Sequence, residues 1–276
     1  MSIPFEDNFE DVLMKASAGQ AIGKRELAHR SGLSFDSVSS LLSGLSDEES
    51  LRSVAAVLSL NAEALVAMAE GSWYPSTGEP EVLRCYNTLF PAGYEGMTVN
   101  SFLLWDASTM RAVAFDTGAN ADQMLADLAD LGLKLGRLFL THTHRDHVAA
   151  HQQIAQVFDD LEIFVPERED YPGAQTVRDG DIYELGPLRI EARLTDGHSP
   201  GGTTYVINGL ESCVAIVGDA LFSLSIGGAA RAYELALKKI RQQILSLPGD
   251  TLICPGHGPM TTVADECERN PFFARG

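Results

Sequence analysis

The stretch THTHRDHVAAH, residues 141–151, places four histidines and one aspartate in eleven positions of a chain that has seven histidines in all. It directly follows RLFL, residues 137–140, a short apolar run that is typical of a buried strand. The cluster is therefore expected in the loop that leaves the carboxyl end of a strand, where α/β proteins often carry their chemistry. Polar side chains of this density at such a loop favour a metal site over a plain surface turn.

The spacing within the loop indicates two ions. His142 and His144 are two residues apart, so they can point to the same side of an extended segment and bind one ion together. Asp146 and His147 follow where a helix is expected to begin, and they are placed to face a second ion. Imidazole and carboxylate are ligands that zinc, iron and manganese accept.

Three further candidates follow apolar runs downstream. His198 lies in TDGHSPGG, Asp219 follows CVAIVG, and His257 lies in PGHGP after LICP. With the first loop they give seven candidate ligands, and only His29 and His151 stay outside the set. Seven ligands suffice for two ions if one acidic residue is shared, and this leaves a position open for water.

The chain divides into two parts by pattern. Residues 9–71 have apolar residues at three-to-four spacing, which predicts a run of short helices. PSTGEPE, residues 75–81, is predicted to be a linker, and β-rich runs interrupted by helical stretches follow it. We predict a small all-α domain at residues 1–75 and a mixed α/β domain at residues 81–276.

With FDTGA, residues 115–119, ahead of these four motifs, residues 81–276 resemble the metallo-β-lactamase superfamily and, within it, the glyoxalase II-like hydrolases. The resemblance implies an α/β fold of αββα sandwich type, with two divalent metal ions at one edge. Zinc is the first expectation for the metal, with iron and manganese as alternatives. By the same resemblance, the first ion is held by His142, His144 and His198, the second by Asp146, His147 and His257, and Asp219 bridges them.

The resemblance also implies a role for Asp116 in FDTGA. It matches the family's aspartate after an early strand, which is similar in role to a partner that orients a metal-bound histidine. The alternative interpretation is an N-cap for the helix ADQMLADL, and both roles are compatible.

The implied activity is hydrolysis of a thioester or related activated acyl compound, of the hydroxyacylglutathione type. Asp146 or Asp219 would accept a proton from the bound water. One alternative is an iron-dependent persulfide dioxygenase, because that branch of the superfamily uses the same H-x-H-x-D-H loop with one iron. Another is a metabolite-sensing regulator in which the helical domain meets DNA or protein.

Two departures from the family concern glutathione. The tail PGHGPMTTVADECERNPFF is similar to compact bacterial glyoxalase II-like proteins, and the sequence lacks the C-terminal helical domain that supplies glutathione contacts in full-length glyoxalase II. Gly227-Gly228 stands where the family usually has Gly-Arg. We therefore expect weak recognition of the thiol portion of the substrate.

Candidate substrate contacts are Arg145 within the motif and the pair Arg231 and Tyr233 after the bridging aspartate. Arg145 would attract an anionic substrate or pair with local carboxylates. For Arg231 and Tyr233 the alternative is a place at a helix start or at the rim of the site. His151, four residues after His147, is interpreted as a residue on the helix surface.

Charge and composition exclude several classes. The net charge of −18 and the pI near 4.6 disfavour nucleic acid and anionic membrane as partners, since phosphate binding needs Lys and Arg. The sequence has neither a secretory signal nor an apolar run that would span a membrane, which favours the cytoplasm. The four cysteines contain no Cys-x-x-Cys and are expected to be buried thiols.

The helical part weakly resembles the helix-turn-helix of Cro/C1-type repressors in KRELAHRSGLSFDSVSSLLSG. Its expected recognition helix, SFDSVSSLLSG, has no Lys or Arg, and residues 1–75 hold five basic residues against eleven acidic ones, a net charge of −6. We therefore interpret residues 1–75 as an interaction, dimerisation or lid module, through which the chain would form a homodimer.

Overall fold

The computed structural model describes residues 2–90 and 96–274. The predicted run of short helices is confirmed. It consists of α1 (Phe9–Gly19), α2 (Lys24–Ser31), α3 (Phe35–Leu41), α4 (Glu48–Leu58) and α5 (Ala62–Ala69). Three of these helices begin at a residue whose side chain accepts a backbone N–H of the first turn, namely Ser34, Asp47 and Asn61. The first residue of the predicted helical domain, and residues 91–95 and 275–276 of the predicted α/β domain, lie outside the described residues.

The α/β part alternates strands and helices as predicted. Its first half contains β1 (Leu83–Leu89), β2 (Thr98–Asp106), β3 (Arg111–Phe115), α6 (Asp122–Asp130), β4 (Lys134–Phe139), α7 (Arg145–Val148), α8 (His151–Ala155), β5 (Glu162–Pro166) and β6 (Gln175–Val177). Its second half contains β7 (Ile182–Leu185), β8 (Leu188–Leu194), β9 (Thr203–Asn208), β10 (Val214–Gly218), β11 (Leu221–Phe222), β12 (Ser225–Ile226), α9 (Tyr233–Lys239), a π-helical turn (Ile240–Ile244), β13 (Leu252–Pro255), β14 (Thr261–Thr262) and α10 (Val263–Arg269).

Two six-stranded sheets form the centre of the molecule. One has the order β1-β2-β3-β4-β5-β6 and the other β14-β13-β10-β9-β8-β7, while β11 and β12 form a separate hairpin. The space between the sheets is filled by apolar side chains from both, such as Phe115 and Phe139 from the first and Tyr205 and Ile216 from the second. Burying these faces against each other removes apolar surface from water, which drives the sheets together.

Helices cover the outer faces of both sheets. Side chains of α6 and α8, such as Leu128 and Ile154, pack on the first sheet together with Leu138. The αββα sandwich is thereby confirmed, with the N-terminal helices ahead of it in the chain. In the described part of the chain no helix is long and apolar enough to cross a bilayer.

The N-terminal helices lie on the outer face of the second sheet. Leu13 of α1 and Leu58 of α4 belong to the same buried cluster as Val217, Leu237 and Ile253 of the α/β part. The two predicted domains therefore share one apolar core, and the boundary between them stays a prediction.

The helix expected after the histidine motif is broken. Helix α7 ends at Val148 and α8 begins at His151. The backbone N–H of Thr117 donates to His147 O at 2.8 Å, and Thr117 Oγ1 accepts from Ala150 N at 3.0 Å. His147 O and Ala150 N would otherwise form helical hydrogen bonds, and both bond to Thr117 instead. His147 and His151 therefore do not share one continuous helical face.

Candidate metal centre

All the predicted ligands come from strand ends at one edge of the sandwich. The parallel neighbours β3 and β4 end just before Asp116 and the histidine loop, and the parallel neighbours β10 and β13 end just before Asp219 and His257. Strand β8 is antiparallel to β9, which is antiparallel to β10, so the loop after β8 that carries His198 lies at the same edge. Parallel carboxyl ends bring residues that are distant in the chain into one site.

The first group is formed by His142, His144, His198 and Asp219, whose ligand atoms all lie within 4.8 Å of one another. His198 Nε2 lies 3.0 Å from His144 Nδ1 and 3.4 Å from Asp219 Oδ2. His142 Nε2 lies 3.9 Å from Asp219 Oδ2. This is the set that the resemblance implies for the first ion, together with the shared carboxylate.

The second group is formed by Asp146, His147 and His257, again within 4.8 Å of one another. His257 Nε2 lies 3.1 Å and His147 Nε2 lies 3.7 Å from Asp146 Oδ2. Asp219 also reaches this group, since its carboxylate oxygens lie 3.2 Å from His147 Nε2 and 3.4 Å from His257 Nε2. Asp219 therefore lies between the two groups, as a bridging ligand would.

The residues present fit two divalent metal ions. Among residues 2–90 and 96–274, the buried atoms His142 Nε2, His147 Nε2 and Asp219 Oδ1 have no hydrogen-bond partner. Buried polar atoms normally have partners, and buried nitrogen and oxygen atoms without one, within two clustered groups, are what a metal ligand set requires. Imidazole nitrogen and carboxylate oxygen together suit zinc, iron or manganese.

Burial and charge act against each other in the site. Burial raises the pKa of the Asp219 carboxyl, but His147 and His257 beside it outweigh this and hold the pKa well below its ordinary value. Burial lowers the pKa of His147, but Asp219 and Asp116 outweigh it and raise the pKa to about 10. Burial also holds the pKa of His142 well below its ordinary value. The carboxylates thus favour positive charge at this edge. Divalent metal ions would supply that charge.

Three of the histidines are oriented by their second ring nitrogen. His147 Nδ1 lies 2.8 Å from Asp116 Oδ2, His198 Nδ1 lies 3.0 Å from Gly228 O, and His257 Nδ1 lies 2.6 Å from Thr98 O. In the neutral imidazole, an Nδ1–H donated to an oxygen leaves Nε2 without a proton, and this is the form that binds a metal.

Asp116 lies where the resemblance implies, beside a histidine of the candidate set. Its carboxylate also accepts from the backbone N–H and the hydroxyl of Thr141, at 2.7 and 2.8 Å. The alternative role as a helix cap is not observed, because the N-cap of α6 is Ala121. The Asp116 backbone has φ 55°, in the left-handed region that Asp tolerates better than most residues.

Two residues that tie the site together were not predicted from the sequence. Glu169 accepts from Thr143 N at 3.2 Å, from Thr143 Oγ1 at 2.7 Å and from Gly201 N at 2.8 Å, so it joins the histidine loop to the loop of His198. It lies in the polar stretch EREDYPG, which gives no signal for this role.

The second is Asn100, whose side chain is fully buried and donates to Pro255 O and Gly258 O, both at 2.9 Å. It holds the loop of His257 against β2. An asparagine within the apolar run NSFLLW was the available signal, because a buried amide needs partners.

The predicted substrate contacts are spread around the site. Arg145 is exposed on α7, with its guanidinium 5.9 Å from the centre of the Phe90 ring. Arg231 is exposed ahead of α9, whereas Tyr233 is only 6% exposed and packs against Phe272 with ring centres 6.4 Å apart. A contact with substrate stays a prediction for all three, and the burial of Tyr233 favours a packing role.

His151 lies outside the ligand set. Its ring is half-buried and meets the edge of Tyr171, with ring centres 5.3 Å apart. The chain at this point has already left the helix of His147, and the His151 ring packs against Tyr171 instead of joining either ligand group.

A two-sheet sandwich with a histidine and aspartate cluster at one edge defines a metallo-β-lactamase fold. A sequence model of the metallo-beta-lactamase superfamily matches residues 94–257, and the chain belongs to this superfamily. The superfamily includes proteins that bind two metal ions.

Relatives extend the resemblance found in the sequence. The hydroxyacylglutathione hydrolase GloC of Haemophilus influenzae is 32% identical over 202 residues, which are 63% of this chain and 92% of that protein. The mitochondrial persulfide dioxygenase ETHE1 of Bos taurus is 29% identical over 182 residues, 62% of this chain and 70% of that protein. Among solved structures, BLEG-1 B3 metallo-beta-lactamase matches with a TM-score of 0.60 and 26% identity, covering 70% of this chain and 100% of that one. The glyoxalase II-like resemblance is thereby confirmed.

Proposed function

We propose that the protein is a dinuclear metal-dependent hydrolase of a thioester or a related activated acyl compound, similar to hydroxyacylglutathione hydrolases. The observation that carries this proposal is the pair of ligand groups with Asp219 between them. A site built for two ions that share one carboxylate suits hydrolysis, in which one water must be deprotonated and one carbonyl polarised. We propose zinc as the metal, on the basis of the ligand types.

The two ions, when bound, would lower the pKa of a bound water to about 7 and stabilise the negative charge that develops on the acyl oxygen. Asp146 or Asp219 accepts the proton of the attacking water, because each has carboxylate oxygens within the cluster. Asp116 keeps the His147 ring in one orientation through the 2.8 Å contact at Nδ1. The chain therefore contributes proton transfer and fixed geometry.

A thioester suits these groups better than an amide. A thiolate leaves readily, since the pKa of a thiol is about 8.5, so no strong acid has to protonate the leaving group. The motifs provide carboxylates and imidazoles that are already assigned as ligands, and they offer no separate acid for an amine leaving group.

The thiol portion of the substrate has few candidate contacts. Gly228 stands where the glyoxalase II-like family usually has arginine, and a Cβ atom built there would meet nothing within 4 Å. Without that cation, binding of a glutathione moiety would gain little. We therefore propose that the acyl group, more than the thiol, determines which substrates are accepted.

We expect the fully metallated protein to release free thiol from S-lactoylglutathione and from a simpler lactoyl thioester, with similar kcat and about equal, high KM. Equal KM follows if glutathione contributes no binding energy of its own. Thiol release should be lost on chelation and restored by zinc, manganese or iron. The assay is colorimetric detection of free thiol with both thioesters, while acid release from a lactone and oxygen uptake with a persulfide are followed in parallel. Turnover of the lactone or the persulfide, with no metal-dependent release from either thioester, would overturn the thioester assignment.

A second candidate function is persulfide dioxygenation, favoured by the similarity to ETHE1. It requires one redox-active iron, whereas the second ligand group here is complete and contains the buried His147 and His257. Oxygen uptake with glutathione persulfide by the iron-loaded protein discriminates the two candidates, because a hydrolase consumes no oxygen.

Against the regulator hypothesis, we predict that the full chain does not bind DNA at physiological salt. Helix α3, the expected reading helix, has no Lys or Arg, and residues 1–75 carry a net charge of −6. Phosphate contacts need the opposite charge. Fluorescence anisotropy with a labelled duplex at low and physiological salt tests this, and micromolar, salt-sensitive binding would promote the regulator hypothesis.

A further inference from the structure

Helix α1 places a lysine beside the metal centre. Lys15 Nζ donates to Ile226 O at 2.8 Å and forms an ion pair with Asp7, which is itself buried. It also lies 5.0 Å from the centre of the Phe222 ring. The Lys15 side chain is only 20% exposed, so the ammonium is largely shielded from water and its contacts are not those of a mobile surface residue.

The carbonyl oxygen that accepts from Lys15 belongs to Ile226, the last residue of the β11–β12 hairpin that follows Asp219. The next residue, Gly227, packs so closely that a Cβ atom there would lie 1.8 Å from Asp219 O and 2.9 Å from His198 Nδ1. Gly228 O accepts from His198 Nδ1 at 3.0 Å. A shift of the backbone at Ile226 would therefore be transmitted to ligands of the first group.

The Phe222 ring, which Lys15 contacts, also packs against a ligand of the second group. Phe222 meets the His257 ring edge-to-face, with ring centres 5.6 Å apart. The arm before α1, residues 3–7, lies on the loop of His257, because a Cβ atom on Gly258 would lie 3.1 Å from Glu6 N and 3.7 Å from Pro4 O. Glu6 Oε2 lies 3.8 Å from His257 Nδ1. The N-terminal segment thus contacts loops that carry ligands of both groups.

Helix α1 is anchored in this position. Its residues Phe9, Val12, Leu13 and Ala16 are buried in the core shared with the second sheet. Separating them from that core would expose a continuous apolar face, at a cost of roughly 25 cal/mol for each Å². A lid that opens and closes is therefore a poor description of this helix.

We propose that α1 and the arm before it are a structural part of the metal centre, with Lys15 as a positioning residue that fixes Asp219, His198 and His257 through Ile226 and Phe222. The proposal rests on the metal site proposed above but not on the substrate. Partners of metal ligands commonly change affinity by about 10-fold to 100-fold when they are removed. The inference gives the helical segment a role in metal binding that its helix-turn-helix resemblance does not suggest.

The test compares Lys15→Met with Lys24→Met in the full-length protein, by competition for zinc with a chromogenic chelator and by the visible absorption spectrum of the cobalt-loaded protein. Lys24 is an exposed lysine at the start of α2, so its replacement removes the same charge away from the site. We expect zinc affinity to fall about tenfold in Lys15→Met, with an altered cobalt spectrum, and to stay unchanged in Lys24→Met. Lys15→Arg should restore most of the affinity, because it keeps a cation and a donor.

Circular dichroism and the unfolding temperature of the metal-free proteins show whether Lys15→Met folds. If it does not, Asp7→Asn, which keeps the side-chain size and removes the negative partner of Lys15, is measured in the same way and is expected to weaken zinc binding about threefold. Zinc affinity and a cobalt spectrum equal to those of Lys24→Met, in whichever variant is folded, would overturn the proposal. Since neither readout uses a substrate, failure of the thioester assignment would leave this result interpretable.

Discussion

Replacing Asp219 with alanine is expected to reduce the metal content from two ions per chain to less than one and to lower kcat/KM by about a thousandfold. The Asp219 carboxylate lies 3.4 Å from His198 Nε2 and 3.2 Å from His147 Nε2, so its removal takes a ligand from both groups. Metal ions supply several kcal/mol of transition-state stabilisation, and about 4 kcal/mol corresponds to a factor of ~10³ in rate. Elemental analysis after loading and gel filtration, with the thiol-release assay, measures both effects.

The control for this variant is His151→Ala, which should keep both ions and most of the activity. His151 belongs to the same stretch of sequence but contacts Tyr171 instead of the ligand groups. The dinuclear interpretation fails if carefully loaded wild-type protein holds only one ion. That result would favour persulfide dioxygenation, which requires one iron.

Gly256→Ala is expected to displace two ligands at once and to lower kcat/KM by about a hundredfold. A Cβ atom on Gly256 would lie 2.2 Å from Asp219 Oδ1 and 2.6 Å from His147 Cε1, whereas carbon atoms in contact lie about 3.5–4.0 Å apart. The backbone cannot yield easily, because Gly256 N donates to Gly218 O at 2.9 Å and Gly256 O accepts from Asn100 N at 2.7 Å. Displacing catalytic groups by about 1 Å can cost 10²-fold in rate.

Gly249→Ala is the matched control. A Cβ atom on Gly249 would meet Ala264 Cβ at 3.6 Å, an ordinary contact, and neither glycine has a positive φ. Both variants therefore differ from the wild type by one methyl group in a permitted backbone conformation. Metal content and kcat/KM should fall only in Gly256→Ala, and equal values in the two variants would show that the approach of Gly256 to the ligands is unimportant.

Sequence patterns near each ligand were sufficient to predict the candidate site. His142, His144, Asp146 and His147 are neighbours in the chain, and the apolar strands before them limit where they can lie. Asp219 and His257 follow apolar runs in the same way, and the structure brings both to the same edge. Strand periodicity and ligand chemistry are local properties, which is why they can be recognised without knowing the fold.

Contacts between distant segments could not be predicted in this way. Lys15 and Ile226 are 211 residues apart, and Asn100 and Gly258 are 158 residues apart. Glu169 likewise gave no signal before its partners in two other loops were placed beside it. Such pairs depend on how the sheets and helices pack. The sequence around a lysine or a glutamate is the same whether its side chain is solvated or hydrogen-bonded to a distant residue.

Strand pattern and ligand type are properties of a few neighbouring residues, so the sequence by itself determined the mixed α/β class and the identity of the candidate ligands. The resemblance of the motifs to a known family added the superfamily and its sandwich fold. Only the tertiary structure decided that α1 lies against the hairpin after Asp219 and that Glu169 joins the loop of Thr143 to the loop of Gly201. The physical reason is that α1 buries an apolar face suited to any apolar partner, and which partner it meets is set by packing of the whole chain.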